Sequence, residues 1–234
     1  MGKILKEVER LYCKITDYLF LTENFHKYQI KYSKIYSNSY ILKENQYSFV
    51  HPPKSAGTAI STFLYENNIN IFVSAHNLVS KNCDPSKFKY IIVIRNPINR
   101  VKSFYEMQLR NRRLAFHNHA KKGLSYFVKR VNINQNCLCK FLIGDLDSHI
   151  DEEKFEIAKK NLRNFFFIMD FENLDKDINE LKIKFNIKND LKNIEKKIKK
   201  KRIYSNDENR IIIDNNKYDI KLWDYYQKNI KSLT

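Results

Sequence analysis

The chain has 234 residues, room for one well-cored domain and little room for two. Hydrophobic residues make up 43% and aromatics 14%, which excludes a mainly disordered chain, while only four Gly and four Pro exclude a fibrous or loop-dominated one. A net charge of +17, from 43 Lys and Arg against 26 Asp and Glu, favours anionic partners without choosing among nucleotides, acidic polymers, nucleic acid and a membrane surface, and a solvated Lys-rich surface accounts for part of it.

Residues 3–21 set Ile4, Leu5, Val8, Leu11, Tyr12, Ile15 and Leu19 at helical spacing, and residues 22–45 are polar and Tyr-rich. This stretch, 1–45, is expected to be a helical and loop extension preceding a single catalytic domain over 46–234. Leu19, Phe20 and Leu21 are flanked by Asp17, Glu23 and Lys27, so no secretory signal is legible, and no apolar run reaches the ~18 residues of a transmembrane helix. Of the four cysteines, Cys137 and Cys139 form a Cys-x-Cys pair without the second pair or nearby His that zinc requires. Free thiols in a reducing compartment are expected, and with them a cytoplasmic, bacterial enzyme, a setting compatible with peripheral membrane association.

Tyr47–His51 reads as a short buried strand ended by Pro52-Pro53, and residues 58–65 as the helix that follows. Residues 70–74 form a second strand, and Lys89–Arg95 a third with four consecutive aliphatics, as suits a parallel strand buried on both faces. Pro97 falls at the first position of a helix running to about Arg110. Helices are expected at 124–130, 135–143 and 151–163, a fourth strand at 165–169, and helices at 172–184, 189–199 and 218–230. Strands alternating with helices give an α/β class: a central, mainly parallel sheet flanked by helices, joined by right-handed crossovers, with a helix-rich C-terminal half.

Two motifs carry the chemistry. Val50-His-Pro-Pro-Lys-Ser-Ala-Gly-Thr-Ala-Ile60 follows a strand and opens a helix. Backbone N–H groups and the helix dipole make such a turn an anion site. Lys54 adds charge, Ser55, Thr58 and Ser61 add hydroxyls, and Gly57 permits close approach of an oxyanion. An ATP-type loop would place its lysine after the turn, whereas here Lys54 precedes it. The alternative is an ordinary strand-to-helix turn with an exposed lysine. In the second motif, Ile94-Arg-Asn-Pro-Ile-Asn-Arg-Val-Lys-Ser-Phe-Tyr105, Arg95 ends a strand and Ser103 sits one turn from Asn99 and Arg100. Arg95 and Ser103 together suit one phosphate; Arg100 reads as a structural ion pair. Both motifs fall at strand C-terminal ends, where open α/β sheets bind nucleotides.

Pro53-Lys-Ser-Ala-Gly-Thr-Ala59 together with Arg95-Asn-Pro-Ile-Asn-Arg-Val-Lys-Ser103 resembles the PAPS-dependent sulfotransferases (PAPS, 3′-phosphoadenosine 5′-phosphosulfate), in their carbohydrate 2-O-sulfotransferase-like branch. Weaker similarity runs through Gln135–Gly144, Ala158–Glu172 and Asp219–Tyr225, so the resemblance spans roughly 46–230. Ala56, Ala59 and Asn96 depart from the Gly, Ser and Asp usual there. The resemblance implies a P-loop-like three-layer fold and metal-free, in-line transfer of a sulfuryl group from PAPS to a hydroxyl of a carbohydrate or glycoside acceptor, acidic or neutral, leaving PAP. It implies Lys54 at the leaving-group oxygen. Ser55, Ala56, Gly57, Thr58 and Ala59 would stand around the 5′-phosphate, Arg95 and Ser103 at the 3′-phosphate, and Arg202 and Tyr204 in a late loop over the nucleotide. His76 would be the base, or else a surface histidine of a polar loop. His117 and His119 are expected in a loop.

Three other readings compete. A non-enzymatic polyanion or nucleic-acid binder would show aromatics interleaved with basic residues, but the run Lys196–Arg202 has none before Tyr204; nucleic acid is therefore not an expected partner. A nucleotide kinase is opposed by the loop order. A glycosyltransferase would use Asp145 and Asp147 as a metal pair, but no strand precedes them.

Overall fold

The computed structural model describes residues 46–72, 78–80, 84–191 and 202–231. Four parallel strands form the sheet: β1 (Tyr47–Val50), β2 (Ile71–Phe72), β3 (Lys89–Ile94) and β4 (Phe167–Asp170), in the order β2-β1-β3-β4. Tyr47 to Val50 stand opposite Lys89 to Ile92, and Ile91 to Ile94 opposite Phe167 to Asp170. From β1 the chain goes to one side, and from β2 it returns across β1 to the other. The order therefore reverses between β1 and β3, the point beyond whose strand C-terminal ends open α/β sheets form a ligand crevice.

The aliphatic run of β3 is buried on both faces. Ile91 and Val93 join Phe49, Phe167 and Met169 in a core closed by helix α1 (Gly57–Glu66), through Ile60, Phe63 and Leu64, and by α7 (Leu174–Phe185), through Leu174, Ile178 and Leu181. Tyr90, Ile92 and Ile94 point to the opposite face with Val50. There they meet α2 (Pro97–Arg110), α4 (Leu124–Arg130), α5 (Cys137–Ile143), α6 (Glu152–Arg163), α8 (Asn206–Asn215) and α9 (Lys217–Asn229). Alternation with period two assigns each side chain to its face. Cys137 and Cys139 are free thiols in this second core, where burial raises both pKa values.

Several elements differ from expectation. The fourth strand begins at Phe167, because the Phe165 amide still donates to Leu162 O at the end of α6 and only the Phe166 amide turns to Tyr90 O, at 2.9 Å. His117 and His119 lie on a short helix, α3 (His117–Lys121), not in a loop; the His117 amide is drawn into a turn by Leu114 O. Helix α8 is absent from the sequence expectation. Its start is written as a capping box, in which Ser205 accepts from the Glu208 amide and Glu208 from the Ser205 amide. Of the helix expected at 189–199, residues 189–191 are not helical and the rest lie outside the described residues, as do the expected extension 1–45 and residues 73–77.

Candidate functional site

The turn after β1 is built under constraint. His51 leaves the strand inward, 5% exposed, with its ring stacked on Phe49 at 5.8 Å. The same ring lies under α1: a Cβ on Gly57 would fall 1.7 Å from His51 Cδ2. Gly57 is thus required by the imidazole beneath it, a different reason from the oxyanion approach expected of it. Burial lowers the His51 pKa from 6.5 to about 4, so the imidazole is neutral at physiological pH.

Lys54 and Ala56 both take left-handed backbone, with φ of 68° and 59°. Each costs an L-residue about 1–2 kcal/mol, and such positions concentrate where a loop must present its backbone in one shape. Ala56 stands where the resembled family commonly has Gly, a residue that adopts this left-handed backbone without strain. Helix α1 begins at Gly57 with no side-chain cap and no acidic residue in its first turn. The Ala59 amide is already bonded to Ala56 O at 3.1 Å. Gly57 and Thr58 therefore provide the amides without partners among the described residues. Ser61 does not face an anion; its hydroxyl donates back to Gly57 O at 2.7 Å. Ser55 is 1% exposed, and its Oγ has no hydrogen-bond partner among the described residues.

Arg95 leaves the end of β3 and crosses to this turn. Its Nη1 donates to Lys54 O at 2.9 Å, and its guanidinium carbon stands 4.1 Å from the Phe171 ring centroid. The Nε is buried without a partner among the described residues. Burial, with Arg95 and Arg110 nearby, holds the Lys54 pKa below the ordinary lysine value. The two cations thus share one electrostatic neighbourhood. Asn96, in place of the usual Asp, caps α2 by accepting from the Asn99 amide at 3.2 Å, and Pro97 takes the first helical position. The departure is locally neutral, since Asn and Asp cap equally well.

Along α2, Asn99, Ser103, Glu106 and Arg110 follow one another at three- and four-residue steps and share a stripe. Arg95 lies within electrostatic range of Glu106, and Lys54 of Arg110, so this stripe borders the crevice. Ser103 is half-buried on it; no hydrogen bond joins Ser103 to Arg95 among the described residues. Arg202 and Tyr204 lie against the same helix. Arg202 Nη1 donates to Tyr105 Oη at 3.1 Å, the Tyr204 hydroxyl donates to Glu106 at 3.0 Å, and Lys102 Nζ sits 4.7 Å from the Tyr204 ring centroid. The late basic loop therefore adjoins the helix that carries Ser103. Arg100, expected to form an ion pair, is 2% exposed and instead donates to Asn134 O at 2.9 Å. His76 lies outside the described residues. His117 Nδ1 is 2.9 Å from Gln108 O and the His119 ring lies tilted 5.9 Å from that of Tyr126, with no bond to the β1 turn among the described residues. Asp145 and Asp147 are tied in a turn, the Asp147 amide donating to Asp145 Oδ1 at 3.1 Å.

Three contributors were not singled out in the sequence. Phe171 and Glu172 follow β4, and the Asn96 amide donates to Glu172 at 3.5 Å. Burial, then Asp170, raises the Glu172 pKa. Asp219 of α9 is fully buried and lines a narrow recess behind the turn with Pro52, Ser55, Arg95 and Arg100. The only sequence signal for the three was their place in the weaker stretches of family similarity.

The arrangement offers two amides, one lysine and one arginine to an anion at the point where the strand order reverses. No protein-family model matches this chain, and no curated protein matches it significantly.

Proposed function

We propose that the chain is a sulfotransferase that moves a sulfuryl group from PAPS to a hydroxyl of a carbohydrate-like acceptor, on a P-loop-like scaffold. One observation supports it above the others. The 2.9 Å bond from Arg95 to Lys54 O ties the two motifs of the family resemblance into a single cationic site. Neither motif alone separates a phosphate site from an ordinary turn.

On this reading the Gly57 and Thr58 amides hold the 5′-phosphate with the dipole of α1. Arg95 and Ser103 take the 3′-phosphate, and Arg202 and Tyr204 close over the nucleotide. The acceptor oxygen attacks sulfur in line as the bond from sulfur to the phosphate oxygen breaks. Charge then develops on that oxygen, and Lys54 stabilises it. Its lowered pKa makes its proton a better donor to that oxygen than an ordinary lysine's. The hydroxyl proton passes to a base, for which His76 is proposed because it follows β2 closely in the chain.

Calorimetric titration with PAP, using ADP as control, tests the assignment. PAP is expected to bind far more tightly than ADP, and Arg95→Ala to abolish the difference. Equal binding of the two nucleotides, or none, would reject a PAPS site. In the same panel His76→Ala is expected to keep PAP affinity and lose turnover.

A further inference from the structure

We infer that Phe171, immediately after β4, is a positioning residue that fixes the guanidinium of Arg95 and so sets discrimination for a 3′-phosphorylated nucleotide; this rests on the reading that Arg95 meets that phosphate. The geometry is three-sided. Arg95 Nη1 is held by Lys54 O at 2.9 Å, a carbonyl whose direction is set by the left-handed backbone of Lys54. The guanidinium carbon lies 4.1 Å from the Phe171 ring centroid, well inside the distance at which a cation is attracted to a ring face. On the third side Glu172, which accepts from the Asn96 amide at 3.5 Å, adds a carboxylate within electrostatic range of Arg95.

Each contact removes a freedom that a solvent-exposed arginine would keep. The ring holds the guanidinium carbon close by cation–π attraction, and the carbonyl holds Nη1. The Nη2 edge is left without a partner among the described residues. An arginine so held loses less side-chain entropy when an anion binds, and its fork faces one direction. Phe171 itself touches no ligand on this reading; it acts through Arg95. Its ring is half-buried at the rim of the core that α1 and α7 close, so the position of the ring is set by the same packing that seats the sheet.

The test is a double-mutant cycle in the full chain, read by PAP and ADP calorimetry. Phe171→Leu is expected to weaken PAP about tenfold and leave ADP unchanged. In an Arg95→Ala background the same substitution is expected to change PAP affinity no further. Phe171→Met fills the space without a ring face and should reproduce the loss if Phe171→Leu proves unstable; Phe171→Tyr should restore wild-type affinity. If the wild type prefers PAP and Arg95→Ala loses that preference while Phe171→Leu and Phe171→Met keep it, the inference is overturned and the nucleotide site stands. Losses that persist in the Arg95→Ala background also overturn it, since Phe171 would then act independently of Arg95. If the wild type shows no preference for PAP, the site assignment fails and this inference fails with it.

Discussion

His51 ties the shape of the β1 turn to pH. It is buried against Phe49 and beneath Gly57, and a methyl group at Gly57 would enter its ring. The neutral imidazole fits; an imidazolium would be a charge placed in the apolar layer between α1 and the sheet. Its folded pKa, about 4, lies below the unfolded value of 6.5. The unfolded chain therefore binds a proton before the folded one does, and folding loses stability as pH falls from 6.5 towards 4. At about 1.36 kcal/mol per pH unit, the full loss is roughly 3 kcal/mol. Above pH 6.5 this contribution is complete and constant. Urea unfolding at pH 7 and pH 4.5 should show the wild type losing most of that amount, and His51→Gln should flatten the profile across the interval. An unchanged profile in His51→Gln would place the titration elsewhere. This histidine was visible in the sequence only as the last residue of a strand before Pro52-Pro53; nothing in that pattern specifies that its ring would turn under the next helix. Lys54, Gly57 and Arg95 were legible because an anion site at a strand-to-helix turn has a local signature. Phe171 was not, because its partnership with Arg95 spans 76 positions and depends on β3 and β4 being neighbours.

At the scale of elements, helices with a strong local start were readable, and α5 shows why others were not understood. Its N-cap residue Asn136 has φ 46° and provides no side-chain cap to its own helix. The cap comes from α9: Asp219 accepts from the Leu138 and Cys139 amides, both at 2.9 Å. The bonding is reciprocal, because Asn136 Oδ1 accepts from the Tyr218 amide at 3.0 Å and Asn216 Oδ1 accepts from the Asn136 amide at 3.0 Å. Two helix starts roughly eighty residues apart thus satisfy each other's orphan amides. In the sequence, Asp219 was legible as part of the helix expected at 218–230 and of a weak family similarity, but not as a cap, since a capping partner so distant leaves no local trace. Helix α8 is the opposite case, a Ser205-x-x-Glu208 box that local rules do contain. Asp219 is fully buried, so Asp219→Ala would strand the Leu138 and Cys139 amides. We expect a loss of about 2–4 kcal/mol in urea unfolding, with Asp219→Asn losing about half as much because one acceptor oxygen survives. A wild-type midpoint in Asp219→Ala would show that the junction carries no stability.

Across the whole molecule, the charge of +17 is not evenly spread. Residues 107–144 contain eight Lys and Arg and no Asp or Glu, so this stretch carries +8 of the total. Two of the eight are engaged: Lys140 is buried and donates to Asn132 at 2.8 Å, and Arg110 pairs with Glu106 at 3.7 Å. Arg112, Arg113, Lys121, Lys122, Lys129 and Arg130 are exposed, and Lys122 and Arg130 flank the Tyr126 ring at 4.8 and 5.9 Å. On α6 and α9, by contrast, Lys159 pairs with Glu156 at 2.7 Å and Lys221 with Glu152 at 3.1 Å. A Lys-rich composition spread uniformly would give every face the same affinity for polyanions; this distribution does not. The unbalanced stretch also begins at Arg110, whose charge reaches Lys54, so the positive potential at the β1 turn continues into α3 and α4. Adsorption to a polyanion is governed by how many cations meet it, and removing any of those cations lowers the salt needed for release. Reversing Arg112, Arg113, Lys121 and Lys122 to Glu is therefore expected to lower the salt of elution from a phosphate-bearing resin far more than reversing Lys154, Lys159, Lys217 and Lys221. Both quadruple variants change net charge equally, so equal shifts would mean that total charge, not this stretch, governs binding. Single exposed substitutions of this kind move stability by only about 0.5 kcal/mol, so thermal unfolding recorded beside the elution profiles separates loss of the surface from loss of the fold.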